Sequence, residues 1–191
     1  MNNKIAFIVG NGASRQQVNL ELLVDKAPIY GCNAIYRDFH AWNYLIAIDD
    51  GMIEELRRER VDRGLVIIPP EENRFEDIEY SPHRRRANAG MIAMDQAIRR
   101  GANILYNIGI DFVLKGNIST DNVYKNTENY GPETHATQDD NYHRIRYLEW
   151  FARRNSSTKF VFVVPDDIPM RVIETPNVVG MKMSTFKNKL D

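Results

Sequence analysis

Six short runs along the chain, Ile5–Val9, Ile29–Cys32, Tyr44–Ile48, Leu65–Ile68, Ile104–Ile108 and Phe160–Val164, are apolar on both alternating faces. A strand of that kind is buried on both sides, as in a parallel sheet covered by helices. Between the runs the apolar period lengthens to that of a helix. Gly51–Arg60 places Met52, Ile53 and Leu56 on one face, Asn88–Arg100 does so with Met91, Met94 and Ile98, and Tyr142–Arg153 with Ile145, Leu148 and Ala152. Thr137-x-x-Asp140 is a start signal for the last of these helices, and Arg99-Arg100-Gly101 is a stop signal for the second. The alternation predicts an α/β fold: one Rossmann-like, doubly wound domain over residues 1–191. Its mainly parallel sheet is expected to hold about six or seven strands.

Two stretches interrupt this rhythm. Pro69–Arg86 contains proline and is strongly charged, and reads as a long connection. Leu114–Gln138 is rich in Asn, Thr, Gly and Tyr and has almost no aliphatic residue after Val123. Loops of more than about 12–15 residues in a compact domain are commonly lids. A short lid over about 113–138 is therefore expected. It follows the strand that ends in G-I-D-F, on the sheet edge where α/β domains bind ligands.

The first strand runs into G-N-G-A-S, Gly10–Ser14. Gly10 and Gly12 allow turn conformations that a side chain would forbid and let a ligand approach the backbone. Ser14, with Gln17 three residues on, has the spacing of a capping box. Strand, glycine turn and helix start together make an anion site, usually for a nucleotide phosphate. The third glycine of a dinucleotide fingerprint is absent, since Arg15 stands in its place. A plain tight turn at the sheet edge is the other reading.

Polar residues also trail the later strands: Asn33 the second, Asp49 and Asp50 the third, and Asp111 the fifth. In a doubly wound sheet these positions converge with Asn11 on one crevice. Each taken alone is equally at home as a helix cap or turn residue. His135, in E-T-H-A-T-Q-D-D at the end of the expected lid, has an imidazole able to take a proton from a hydroxyl; an exposed loop histidine is the plain alternative. Arg84-Arg85-Arg86 leads into the helix at Asn88, which fits an anionic ligand nearby or a solvated basic loop. Tyr124 and Tyr130 lie in the lid, either to donate hydroxyls to a phosphate or to pack the loop. No cysteine or histidine–carboxylate spacing marks a metal site.

Composition narrows the classes without choosing one. The chain is 43% hydrophobic and 27% charged with a net charge of −1, so nothing draws it to nucleic acid or an anionic membrane. A lone cysteine, Cys32, and the absence of a signal peptide or membrane-length apolar run are the marks of a cytoplasmic protein. Homo-oligomerisation is left open.

Taken in order, I-V-G-N-G-A-S (Ile8–Ser14), G-C-N (Gly31–Asn33), R-A-N-A-G (Arg86–Gly90), I-G-I-D-F (Ile108–Phe112) and the isolated His135 before a helix resemble the bacterial sialyltransferases of glycosyltransferase family 42. The likeness spans most of the chain, from Ile5 to about Pro165. It implies a Rossmann-like domain, a CMP-sialic acid donor, no metal and a lid. By the same resemblance Gly10, Asn11 and Gly12 would lie against the nucleotide phosphate and ribose, and Asn33 would approach the nucleotide. Asp49 stands where the family has an asparagine near the donor, and Ser14, Asn88, Ala89 and Asp111 complete the nucleotide-binding set. Arg86 matches a family arginine in the site and His135 the catalytic base, while Tyr124 stands in for a lid tyrosine. There are departures: the family's T-S-G is N-A-G here, so Ala89 lacks a donor-contacting hydroxyl, and Val113 replaces the tyrosine after I-D-F. A wider group of Rossmann-like proteins, related to 6-hydroxymethylpterin diphosphokinases, shares the G-N-G-x-S start and the G-x-D strand end.

The expectation is a nucleotide-sugar-dependent glycosyltransferase, with a CMP-sugar donor, a glycan or other hydroxyl acceptor, a histidine base and no cofactor. The alternatives are a diphosphokinase-like phosphotransferase using Mg-ATP, with Asp49, Asp50 and Asp111 as metal-facing carboxylates, and a nucleotide-binding protein without activity.

Overall fold

The computed structural model describes residues 3–61, 64–69, 88–116, 122–132 and 138–190. Seven strands form one all-parallel sheet: β1 (Ile5–Val9), β2 (Ile29–Cys32), β3 (Tyr44–Ile46), β4 (Leu65–Ile67), β5 (Ile104–Ile108), β6 (Lys159–Val164) and β7 (Val178–Lys182). Their spatial order is β4-β3-β2-β1-β5-β6-β7. The chain winds outward from β1 in one direction, then returns to lay β5 on its other side. The order therefore reverses between β1 and β5, where Ile5 pairs with Ile104 and Val9 with Ile108. Doubly wound sheets bind their ligands at that reversal, beyond the strand C-termini.

Among the described residues four α-helices cover the sheet: α1 (Asp50–Arg58), α2 (Ala89–Arg99), α3 (Gln138–Arg154) and α4 (Met183–Leu190). One face of β1 sends Ala6 and Ile8 into a core shared with Met91, Met94 and Ala97 of α2 and Leu148 and Phe151 of α3. The other face sends Phe7 and Val9 against Met52, Ile53 and Leu56 of α1 and Phe186 of α4. Alternating positions of one strand thus feed two cores, which is why the strand sequences are apolar throughout.

The doubly wound fold and the six strand runs match expectation, and β7 with α4 completes the structure. Edge position explains why β7 is faint in the sequence: Val178 is buried, Gly180 and Lys182 are exposed, and no continuous apolar run results. At the other edge Leu65 of β4 is 50% exposed, so this strand is not buried on both sides as its sequence implies. The expected first helix is a 3-10 turn, Ala13–Gln17, followed by a second at Leu20–Leu23. Gly101 ends α2 as expected, with φ +92° and its N–H on the Ile98 carbonyl. Thr137, the proposed cap of α3, lies outside the described residues.

Candidate functional site

Two glycine-containing turns meet at the C-terminal ends of β1 and β5. The Gly10 N–H donates to Ile108 O at 2.8 Å and the Gly12 N–H to Gly109 O at 2.9 Å. A Cβ on Gly10 would lie 2.5 Å from Gly109 O, and one on Gly12 2.5 Å from Asp111 Oδ2. The glycines are needed because the two turns touch. Their backbone is otherwise ordinary, with Gly12 at φ −62° and the left-handed residue of the pair being Gly109 at φ +66°. This corrects the expectation of side-chain-forbidden turn conformations at Gly10 and Gly12. It also removes both amides from the donors available to a phosphate.

Ser14 does not cap a helix. It lies within the 3-10 turn, which begins at Gly12 without a side-chain cap. The Ser14 N–H donates to Asp111 Oδ2 at 2.9 Å and its hydroxyl to Asp111 Oδ1. Asp111 therefore fastens the β5 turn to the β1 turn, a use of its carboxylate that outweighs local capping because the backbone N–H it satisfies is largely buried.

The start of α2 sits beside these turns. Asn88 is its cap, with Oδ1 accepting the Met91 N–H at 3.0 Å, and Ala89 is buried. A Cβ on Gly90 would meet Ile110 Cδ1 at 2.7 Å, and one on Gly10 would meet the same atom at 2.6 Å. One isoleucine side chain thus bridges the glycine turn and the helix start.

Toward β2 and β3 the polar residues form a second group. Asn11, 8% exposed, donates to Cys32 O at 2.8 Å and to the Tyr130 hydroxyl at 3.4 Å. Next to Cys32, Asn33 has a left-handed backbone (φ +48°) and donates to Asp49 Oδ2 at 3.0 Å. Its buried Oδ1 has no hydrogen-bond partner. Asp49 precedes α1 without capping it through its side chain. The Cys32 thiol is fully buried and pushed up to about 12 by that burial, which leaves it unreactive.

Of the expected lid, residues 113–116, 122–132 and 138 are described, and 122–130 form a strap docked against the site. Val123 N–H donates to Asn11 O at 2.8 Å, and Gly12 bridges to Asn122. Tyr124, 6% exposed, donates its hydroxyl to Asp38 and accepts from Arg15 Nη2 at 3.2 Å. Arg15, 2% exposed, also donates to Asp38 Oδ2 at 2.8 Å and reaches Asn11 Oδ1 at 3.5 Å. Burial pushes Tyr130 up to about 12 and Tyr124 upward as well, so both hydroxyls stay protonated. They are engaged inside this network, as in the loop-packing one of the two readings that the sequence left open.

Arg37 holds the outer side of the strap. It pairs with Glu55 (Nε to Oε1 2.7 Å, Nη2 to Oε2 2.5 Å), donates to Thr127 Oγ1 at 2.7 Å and Glu128 O at 3.0 Å, and lies over both tyrosine rings. Burial pushes the Glu55 carboxyl up, but hydrogen bonds from Arg37, Tyr36 and Asn129 outweigh it and hold it below the usual carboxylate range.

The structure therefore gathers Gly10, Asn11, Gly12, Ser14, Asn33, Asp49, Asn88, Ala89, Asp111, Tyr124 and Tyr130 at one sheet edge. His135 and Arg86, the expected base and site arginine, lie outside the described residues, as do Arg84, Arg85 and His83. The buried Arg15 is the residue that sequence reasoning missed; its position at the missing third glycine was the available signal. Among the described residues no group of three or more His, Cys, Asp or Glu side chains is placed to hold a metal ion, and no helix is long and apolar enough to cross a membrane.

No protein-family model matches the chain, and no curated protein matches it in sequence. Solved structures do match. The sialyltransferase CstII from Campylobacter jejuni, in complex with the substrate analogue CMP-3FNeuAc, aligns with 83% of this chain and 81% of its own at TM-score 0.53 and 14% identity. Its complex with cytidine-5'-monophosphate aligns with 85% and 81% at TM-score 0.52 and 14% identity. Sialyltransferase CST-II with a trisaccharide acceptor and CMP aligns with 83% and 80% at TM-score 0.51 and 14% identity. The likeness shows a shared fold, the α/β Rossmann-like architecture.

Proposed function

We propose that this chain is a metal-independent glycosyltransferase that uses a CMP-sugar donor and a hydroxyl acceptor, with His135 as the general base. The observation that carries the reading is the convergence of Asn11, Asn33, Asp49 and the capped start of α2 on the β1–β5 reversal of a CstII-like fold. In the first turn of α2 the Met91 and Ile92 N–H groups return to Asn88. The amides of Ala89 and Gly90 are those a helix start leaves for a ligand, and the positive end of the macrodipole favours a phosphate there. With Gly10 and Gly12 amides committed to β5, this helix start is the better seat for the leaving CMP phosphate. Arg86, three residues before Ala89, would add a full positive charge as the glycosidic oxygen takes up the electron pair. His135 would remove the acceptor hydroxyl proton while the new bond forms at the anomeric carbon.

A Mg-ATP phosphotransferase is less well supported, because Asp111 is fastened to Ser14 and Asp49 to Asn33. The direct test is donor turnover: CMP-sialic acid, with and without a glycan acceptor, assayed in EDTA. CMP release by the wild type and a loss of about 10²–10⁴-fold in His135→Ala is expected for a general base. Undiminished release by the variant would remove His135 from the mechanism.

A further inference from the structure

The two outer strands of the sheet are built differently. On β7 the exposed positions are Gly180 and Lys182, and an edge lysine discourages pairing with another strand. β4 carries no such guard: Leu65 is 50% exposed, Val66, Ile67 and Ile68 are half-buried, and all four are apolar. The strand pairs with β3 alone. Leu65 N–H donates to Asn43 O at 3.0 Å and Ile67 O accepts the Ala47 N–H at 3.1 Å, so these two residues turn their polar groups inward. Alternation then points the N–H and C=O of Val66 away from β3, along the open edge. Pro69 shares the parity of Leu65, so its missing N–H is on the β3 side and does not blunt that edge.

Beside this edge α1 leaves a shallow groove of about 230 Å³, lined by Ile53, Val61, Val66 and Ile68 together with Arg57 and Arg60. α1 opens on acids, Asp50 and Glu54, and closes on these two arginines; all four are exposed. Asp50, Ile53 and Arg57 follow one another at spacings of three and four, which puts them on one helix face. Neither Arg57 nor Arg60 forms an ion pair among the described residues. The face reads acid, apolar, base, an order that complements itself only when a copy lies alongside in the opposite direction. Water solvates the separate charges. It does not account for an apolar strand left open beside them.

We propose that β4 is the contact strand of a symmetric homodimer, in which the β4 strands of two copies pair antiparallel about Val66 and join the two sheets into one. Val66 faces Val66 of the second copy, and the two exchange both N–H···O=C bonds. Leu65 then stands opposite Ile67 of the second copy on the face covered by α2, while Val66 and Ile68 extend the groove on the α1 face. Reversing the strand reverses the helix it carries. The acidic start of each α1 comes alongside the basic end of the other, and this charge complementarity selects a second copy as the occupant of the edge. The contact lies three strands from β1 and does not depend on the reading given to the candidate nucleotide site.

The test is sedimentation velocity of the full chain from about 2 μM to about 0.2 mM, the upper end being where small, weak interfaces still saturate. Hydrogen exchange of the Val66 amide is read at both ends of that range. A reversible monomer–dimer equilibrium is expected, with the amide protected in the dimer and open in the monomer. Leu65→Lys should weaken the dimer at least about tenfold, since symmetry brings the substitution in twice. Its circular dichroism spectrum should be unchanged, because the side chain is half exposed. Arg57→Glu should weaken the dimer about fivefold, the scale of an exposed charge pair counted twice. The proposal is overturned by a monomer at every concentration, by a dimer that either substitution leaves intact, or by a dimer whose Val66 amide exchanges freely. Protection of that amide in a monomer would assign the edge to another segment of the same chain and overturn it equally.

Discussion

Gly12 has no room for a side chain. Its Cβ would press on Asp111, whose Oδ2 accepts the Ser14 N–H. Gly12→Ala is therefore expected to cost about 2 kcal/mol, the scale of overpacking at a tight contact, read as a lowered urea midpoint. An unchanged midpoint would mean that Asp111 swings aside freely. Glu55 presents the electrostatic counterpart. Its side chain is 3% exposed and leans on Arg37. Arg37→Met leaves that carboxylate buried with only neutral donors, at a cost of about 3 kcal/mol by the same measurement. Because the folded-state pKa of Glu55 lies below its unfolded value, its contribution is complete above the unfolded value of about 4.3 and is lost as pH falls through the folded one. The acid limb of the stability profile should therefore flatten in Glu55→Gln. At this scale the sequence was partly legible. Asn11, Asn33 and Asp49 declared themselves by trailing strands, whereas Arg15 was noted only as the residue in place of the third glycine. Its burial depends on Asp38 and Tyr124, which are remote in the chain and carry no local pattern.

The element that most changes the picture is the strap at residues 122–130. It was legible as an aliphatic-poor loop on the ligand edge, and that description fits a mobile lid. Its anchoring is polar and long-range: Arg37 reaches Thr127 and Glu128, Glu55 takes Asn129, and Asn11 takes Val123. The Arg58–Glu128 pair is exposed on both sides and adds little. Amides of 123–130 should exchange slowly in the free protein, and Glu55→Ala should speed them up while leaving the β1 and β5 amides protected. Fast exchange in the wild type would show that the strap is mobile. Strands showed in the sequence wherever burial on both faces demanded unbroken apolar runs. β7 escaped because an edge strand carries Gly180 and Lys182 at no cost, and the first helix failed because Ser14 serves Asp111.

For the whole molecule, the order of strands matters most, because doubly wound sheets bind ligands where that order reverses. The reversal between β1 and β5 places two fastened turns, a capped helix start and a docked strap around one edge. Under the proposed function the nucleotide would bind there without first ordering the walls. The measurement that bears on it most directly is the melting temperature of the full chain with CMP, UDP, GDP, ATP or NAD, each with EDTA and with Mg²⁺. CMP is expected to raise it in EDTA, by the equivalent of about 2.7 kcal/mol when present at a hundred times its dissociation constant. Stabilisation by ATP alone and only with Mg²⁺, or by no nucleotide at all, would contradict the account.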